Sequence, residues 1–366
     1  MRKFQAITLT LSLNLFFIFA PPLPANAVER SYISPETTAD YIHSVIEADR
    51  TIYSEFIVER LNSTVNLPAG ENWQEKDILP LPAQFLLAAS RLVQENRLGM
   101  SYHLMSLWPV NPENGPKSDK EKAGLTEVSQ TPGKPFTWIG KSNGTTMFNA
   151  VYPDIAVTKS CAECHNAHPK SPRNDFKKGD VMGGIHIAFP IEKTGSGSGS
   201  LDYAVSPEVV ADYVHAVLDA DRNIYADKVV HRLQKKKVIY ATENWWEENS
   251  LLLPAQFLLN ASELIRHRKP GLDFRLISLW PINPHNGAAN EFESTGLKEV
   301  AEQPLRPYIG QTKVGNKNFF QAIYPDLAVT PACVGCHNSH AKSPKHDFKL
   351  FDVIGGIVVS VPLDQD

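Results

Sequence analysis

The sequence predicts an α+β chain made of two tandem copies of one domain, each with helices first and an antiparallel sheet after them. Three observations carry this. The chain matches itself at a constant shift, Ser34 falling on Ser206 172 residues further on; each copy opens on an amphipathic helical pattern; and each closes on an apolar strand introduced by a Gly-Gly pair.

The repeat holds along the whole chain. Ser34-Pro35-Glu36 meets Ser206-Pro207-Glu208, Asn72-Trp73 meets Asn244-Trp245, Leu81 to Phe85 meets Leu253 to Phe257, and Tyr152-Pro153-Asp154 meets Tyr324-Pro325-Asp326. A period this long denotes whole domains rather than a solenoid of small units. Thr194 to Ser200 alternates Gly and Ser, a composition that behaves as flexible coil. The expected organisation is a signal peptide over 1–27, a first domain over 28–193, a linker over 194–202 and a second domain over 203–366.

The leader reads from its residue order. Met1-Arg2-Lys3 is a positive start, Ile7 to Ala20 an apolar run too short to span a bilayer comfortably, and Ala25-Asn26-Ala27 a small-residue cleavage site behind Pro21, Pro22 and Pro24. The alternative is an uncleaved anchor. Removing Arg2 and Lys3 takes Lys+Arg from 36 to 34 against 40 Asp+Glu, so the charge moves from −4 to about −6. No clustered basic excess points to nucleic acid, and no later segment is long and apolar enough to cross a membrane. A soluble periplasmic or secreted product is expected.

In each copy the elements follow in order. Ile42, Val45, Ile46, Tyr53, Phe56 and Ile57 share one helical face, as do Val214, Val217, Leu218, Tyr225 and Val229. A second helix follows Pro82 through Phe85, Leu86, Ala89, Leu92 and Val93. Asn143-Gly144 between two apolar runs reads as a hairpin turn, and Ile185 to Ile191 and Ile357 to Val361 read as closing strands.

The chemistry lies in the cysteines. All 4 fall in Cys161-Ala162-Glu163-Cys164-His165 and Cys333-Val334-Gly335-Cys336-His337. Two thiols three residues apart can each add to one vinyl group of a haem, and the adjoining imidazole then becomes the proximal iron ligand. The expectation is two covalent c-type haems, held by Cys161, Cys164, Cys333 and Cys336, with His165 and His337 on the irons. The alternatives are zinc completed by His168 and His340, a redox pair, or disulfides. Beside a haem, His168 and His340 sit too close to the proximal ligand to reach the opposite face, and a hydrogen-bonding or surface role is expected for them.

The other axial position narrows by subtraction. The second copy has no methionine, and Met100, Met105, Met147 and Met182 correspond to Leu272, Ile277, Phe319 and Ile354, as interchangeable core residues would. Candidates present in both copies are His43 with His215 and Tyr53 with Tyr225, beside an open or water-filled position; the competing roles are a solvated helix flank for His and a packed core ring for Tyr. Arg50, Arg60, Arg222 and Arg232 are candidate partners for haem propionates, since guanidinium forks match carboxylates, with an ordinary surface role as the alternative. Trp108-Pro109 and Trp280-Pro281 are read as packed rings leading into tight turns, in preference to haem covers.

Several of these segments occur together in a known family. Ala48 to Tyr53, Leu81 to Phe85, Leu107-Trp108-Pro109, Tyr152-Pro153-Asp154, and Cys161 to His168 running into Ser171-Pro172, Asp175-Phe176 and Gly179 to Gly184 resemble a c-haem-binding, PAS-like domain family typified by a cyanobacterial haem protein. The resemblance covers nearly all of both copies. It implies two tandem PAS-like domains, each a curved antiparallel sheet with flanking helices around one haem, and it carries the motif roles onto Cys161, Cys164, His165, Cys333, Cys336 and His337. Some members use a cysteine as sixth ligand, and this chain has none to spare.

The expected function is that of an exported dihaem c-type cytochrome transferring electrons between redox partner proteins, not of an enzyme. The alternative is a haem-based redox or gas sensor; with no kinase-like, coiled-coil or membrane segment after the last strand, it would signal through a separate partner. A lesser alternative is a zinc-binding or disulfide-stabilised exported protein.

Overall fold

Ser34 and Ser206 start the two copies as helix caps. In the computed structural model, which describes residues 32–194, 202–268 and 271–363, the Ser34 hydroxyl accepts the Thr37 N–H at 3.0 Å and the Ser206 hydroxyl that of Val209 at 3.4 Å. The expected signal peptide and all but the ends of the expected linker lie outside the described residues. Behind each cap, Pro at the first helical position and Glu in the first turn suit the exposed N–H groups and the helix dipole. Helix α1 (Pro35–Ile52) runs through a π-helical segment, Tyr53–Glu59, into α2 (Arg60–Val65), which ends at Asn66 in the left-handed region (φ 54°). The expected second helix is α3 (Pro82–Glu95), whose first turn is tied by Leu81 N–H donating to Gln84 Oε1 at 3.1 Å.

The sheet follows. β1 (Ser101–Met105) and α4 (Asp119–Gln130) precede β2 (Phe136–Ser142) and β3 (Thr145–Ile155); then come α5 (Lys159–Ala167) and β4 (Val181–Pro190). The Asn143-Gly144 turn expected between β2 and β3 is present, both residues at positive φ (48° and 83°), as a two-residue hairpin that keeps the strand twist requires. All pairings are antiparallel, in the order β1-β4-β3-β2. The closing strand thus lies inside the sheet, which is why β4 is buried along nearly its whole length. Gly183 lets it sit there, because a Cβ at that position would lie 2.5 Å from the Met105 carbonyl oxygen of β1.

The second copy repeats the plan. After the short strands β5 (Glu192–Lys193) and β6 (Tyr203–Ala204) come α6 (Pro207–Ile224), a π-helical segment Tyr225–His231, α7 (Arg232–Lys235), α8 (Pro254–Arg268), β7 (Asp273–Ile277), α9 (Glu291–Glu302), β8 (Tyr308–Val314), β9 (Lys317–Leu327), α10 (Pro331–Ser339) and β10 (Val353–Pro362). Its sheet order, β7-β10-β9-β8, matches the first.

The copies share one core. Helices α1 and α3 pack on α6 and α8 of the other copy, and Phe85 meets Phe257 edge-on at 5.9 Å between centroids. The contact is self-complementary, as in a two-fold dimer. Arg60 donates to the carbonyls of Trp245 (3.2 Å) and Ser250 in the second copy, and Arg232 to those of Trp73 (3.0 Å), Lys76 (3.2 Å) and Ile78 in the first. Each guanidinium also lies over the partner copy's Trp, at 4.8 Å and 5.1 Å. Arg60 and Arg232 therefore clamp the copies together. Their forks are filled by backbone carbonyls, which corrects the expectation that they meet propionates.

Asp49 and Asp221, also equivalent by the repeat, are both fully buried at this contact, and neither carboxyl meets another donor. Burial raises the pKa of both above the ordinary carboxylate range, and the nearby Asp221 charge adds to the rise at Asp49. A carboxyl raised in the folded chain contributes stability that is whole below the unfolded value of about 3.9 and is lost as pH climbs through the folded one. Asp221→Asn is therefore expected to be the more stable chain at pH 8, by at least the roughly 1.4 kcal/mol that a tenfold change in proton affinity represents, and not at pH 3. Urea unfolding at the two pH values measures this; an equal effect at both would contradict it.

Candidate functional site

The two cysteine motifs sit on short capped helices. Thr158 caps α5, its hydroxyl accepting the Cys161 N–H at 3.3 Å and lying 3.2 Å from Cys161 Sγ; Thr330 does the same at 3.4 Å and 3.2 Å for Cys333 on α10. All four thiols are free. One helical turn separates the two cysteines of each motif, so both can meet one flat partner, with the histidine one residue further on. Burial pushes the Cys164 and Cys336 thiols upward, with Glu71 and Glu243 adding to the rise, so these thiols stay protonated at neutral pH. Burial also lowers the pKa of His165 and His337, leaving each imidazole neutral with a lone pair to offer.

A loop clasp holds each motif in place. The Asn166 side chain donates to the Phe176 carbonyl at 2.8 Å and accepts the Phe176 N–H at 3.0 Å; Asn338 and Phe348 repeat this at 2.9 Å and 2.9 Å. Phe176 and Phe348 stand at right angles to the His165 and His337 rings, at 6.1 Å and 5.7 Å. Trp108 packs edge-on against Phe176 at 5.8 Å and Trp280 against Phe348 at 5.6 Å. Both Trp residues brace the clasp, in keeping with the packed-ring reading.

Cys161, Cys164 and His165 form one wall of a cavity of about 220 Å³, and Arg50, Ser54, Val58 and Asn62 form another. These four are spaced by four residues across the α1–π–α2 rod. In an α-helix such a row drifts round the axis; the wider π turn reverses the drift and keeps all four on the cavity. Ser54 Oγ is buried there without a hydrogen-bond partner, and so is His165 Nδ1. Two free thiols, a neutral imidazole and an unpaired hydroxyl on a largely apolar cavity fit a flat apolar macrocycle carrying a metal and a few polar edges.

The remaining candidates divide. Tyr53 and Tyr225 are fully buried in the shared core, stacked on Phe85 and Phe257, and their hydroxyls donate to the carbonyls of Pro80 (2.9 Å) and Leu252 (2.8 Å). Neither is placed as a ligand, because the ring lies inside the core and its O–H is committed to backbone. His43 and His215 stack on Tyr152 and Tyr324 at 3.9 Å and 3.8 Å. His43 lies two helical turns before Arg50, about 10 Å along the axis, and is not on the cavity wall. Arg50 does line the cavity, but its guanidinium is paired with Asp154 at 2.7 Å and donates to the Ile155 carbonyl at 3.1 Å. Arg222 is held in the same way by Asp326 and by the Leu327 carbonyl at 3.2 Å. Both are thus paired with a carboxylate of their own copy.

His168 Nε2 lies 3.4 Å from Glu71 Oε1 while its Nδ1 accepts the Lys170 N–H at 3.2 Å; His340 has Glu243 at 3.2 Å and the Lys342 N–H at 3.1 Å. Both rings are engaged by a glutamate on one nitrogen and a backbone N–H on the other. The zinc set of cysteines with His168 or His340 is not assembled. Among the described residues, the group with metal-ligand spacing contains no cysteine.

Comparison with known proteins agrees with the duplication. The model of the Tll0287-like family matches residues 30–190 and again residues 207–362. The chain belongs to the Tll0287-like family. Among solved structures, the crystal structure of the cyanobacterial heme-protein Tll0287 is similar at 15% identity, covering 44% of this chain and 99% of that chain, with a TM-score of 0.27. Among curated proteins none matches. The two Tll0287-like copies keep the motif, cap and clasp in common. They part on the opposite face of the sheet, where His103 and His186 of the first copy stand against Arg275 and Val358 of the second. A search for residues shared by both copies passes over this pair, and His103 and His186 lie too far apart in sequence to form a motif.

Proposed function

We propose that the chain is an exported dihaem c-type cytochrome that passes electrons between redox partner proteins, one haem joined to each copy. The observation that carries this is the pair of free thiols and the neutral imidazole held together on a cavity wall in the first copy, with the same three residues repeated on α10 of the second. Membership of the Tll0287-like family, whose namesake is a cyanobacterial heme-protein, supports the same reading. Bound there, an iron porphyrin would supply a one-electron couple whose potential follows from its ligands, burial and hydrogen bonds.

The protein's own part is to hold and shape. Cys161 and Cys164 would anchor the group and His165 would hold its metal, while Phe176 fixes the imidazole plane and Ser54 offers a hydroxyl inside the cavity. At about 220 Å³ the cavity is below the roughly 300–1,000 Å³ of sites that enclose a ligand whole. A macrocycle held there would not be enclosed whole, which would suit electron exchange with a docked partner. Tyr53→Phe is expected to cost about 1–2 kcal/mol by leaving the Pro80 carbonyl without its donor, and to leave the visible absorption bands where they are. Shifted bands would return Tyr53 to the iron.

A second reading, sensing through a small ligand on the iron, is favoured by one observation: His43 and Tyr53 are off the cavity wall, where the polarisable residue is Met182, replaced by Ile354 in the second copy. Spectra of the reduced protein with and without carbon monoxide separate the readings. Indifference to the gas at both irons is expected for a pure electron carrier; ready binding at either favours the sensor.

A further inference from the structure

On the sheet face away from the haem-motif cavity, β1, β4 and the first turn of α4 bring together His103, His186 and Glu121, with one ligand atom of each within 4.8 Å of the others. His103 and His186 are direct cross-strand partners, and their rings meet edge-to-face at 4.9 Å. His103 Nε2 and His186 Nδ1 both lie 3.8 Å from the same carboxylate oxygen, Glu121 Oε1. That is too long for a hydrogen bond. It is close to the ligand-to-ligand separation of about 3.4 Å set by bonds of about 2.1 Å to a tetrahedral ion.

Two further features prepare the group. Asn149 donates through Nδ2 to the Met147 carbonyl at 3.3 Å, which turns its Oδ1 toward His186 Nε2 at 3.1 Å. The proton of His186 is thereby placed on Nε2, and the lone pair of Nδ1 is left aimed at Glu121; an outer partner on the far nitrogen of this kind orients metal-binding histidines. Trp138 stacks on His186 at 5.2 Å and fixes the ring plane.

The second copy shows what that oxygen needs. The Oε2 atoms of Glu121 and Glu293 do the same structural work, accepting the N–H of Lys117 at 2.5 Å and of Ala289 at 2.6 Å. Glu293 Oε1 then meets the Arg275 guanidinium at 2.8 Å. In the first copy Arg275 is replaced by His103 and Val358 by His186, so a fixed cation has given way to two nitrogen donors around a nearly buried carboxylate. We propose that His103, His186 and Glu121 form a binding site for one divalent transition-metal ion, present in the first copy alone, with the ion's remaining positions open to solvent beside the half-exposed His103. Two imidazoles and one carboxylate are the donor set of three-ligand zinc and non-haem iron sites. The site is independent of the haem reading.

Calorimetric titration of the chelator-treated full chain with Zn²⁺, any free thiol first alkylated, tests it. One equivalent is expected to bind in the wild-type chain, raising its thermal midpoint as a ligand specific to the folded state must. His103→Ala, a change at an exposed ring, and separately Glu121→Gln, are each expected to weaken that equivalent more than about tenfold and to abolish the midpoint shift. Failure of the wild-type chain to bind Zn²⁺, two equivalent sites, or binding unchanged in His103→Ala overturns the proposal.

Discussion

Replacing Cys161 and Cys164 with alanine is expected to halve the covalently held haem of the exported chain, from two equivalents to one, and the matching change at Cys333 and Cys336 alone to do the same. The reason is local. In each copy both thiols lie on a nine-residue helix whose cap, clasp and neighbouring aromatic rings belong to the same copy. Losing one pair therefore leaves the other attachment site whole. Haem measured in the denatured, acid-extracted polypeptide reads the covalent fraction directly. Two equivalents retained in the Cys161/Cys164 variant would contradict the assignment, as would loss of both.

Arg60→Ala is expected to destabilise the chain by about 2–4 kcal/mol, because it strips donors from the Trp245 and Ser250 carbonyls at a buried contact where water cannot replace them all. The stacking on Trp245 is lost with them. Arg232→Ala acts on the equivalent carbonyls of the first copy and should cost a similar amount. Arg60→Lys is expected to recover little, since an ammonium lacks the planar fork that spans separate carbonyls. Denaturant unfolding of the three variants measures the costs. A change at Arg60 within about 0.5 kcal/mol of wild type, as for an ordinary surface residue, would show that the clamp does not hold the copies together.

Much of the fold was legible because it was written twice. The opening helix, the helix after Pro82, the Asn143-Gly144 hairpin and the Gly-Gly closing strand each carry a local signal: a period, a cap, a turn residue or an apolar run. Helix α4 carries less, since Leu125 and Val128 are its buried branched apolar residues and Gly124 is needed for close packing, where a Cβ would lie 2.9 Å from Phe136 and Val151. Its usable sign was the capping pattern of Ser118 followed by Glu121, the Ser118 hydroxyl accepting the Glu121 N–H at 3.2 Å.

The site was legible where its chemistry sits in five consecutive residues and illegible where it depends on what a side chain faces. Tyr53 lies on the apolar stripe, as its spacing implies, but the stripe reports burial and not the neighbour, which is Phe85 of the shared core instead of a cofactor. Arg60 finds its acceptors 185 and 190 residues away in the other copy, and no local pattern encodes that. The π segment that aligns Arg50, Ser54, Val58 and Asn62 leaves no periodic mark of its own. His103 and His186 were hidden because the second copy does not repeat them.

Each Tll0287-like copy is proposed to carry a haem joined through its two cysteines. The mass of the intact denatured chain, purified after export from cells that mature c-type cytochromes, measures this most directly. A mass equal to the polypeptide plus two haem groups is the result expected. The mass of the bare polypeptide would contradict it.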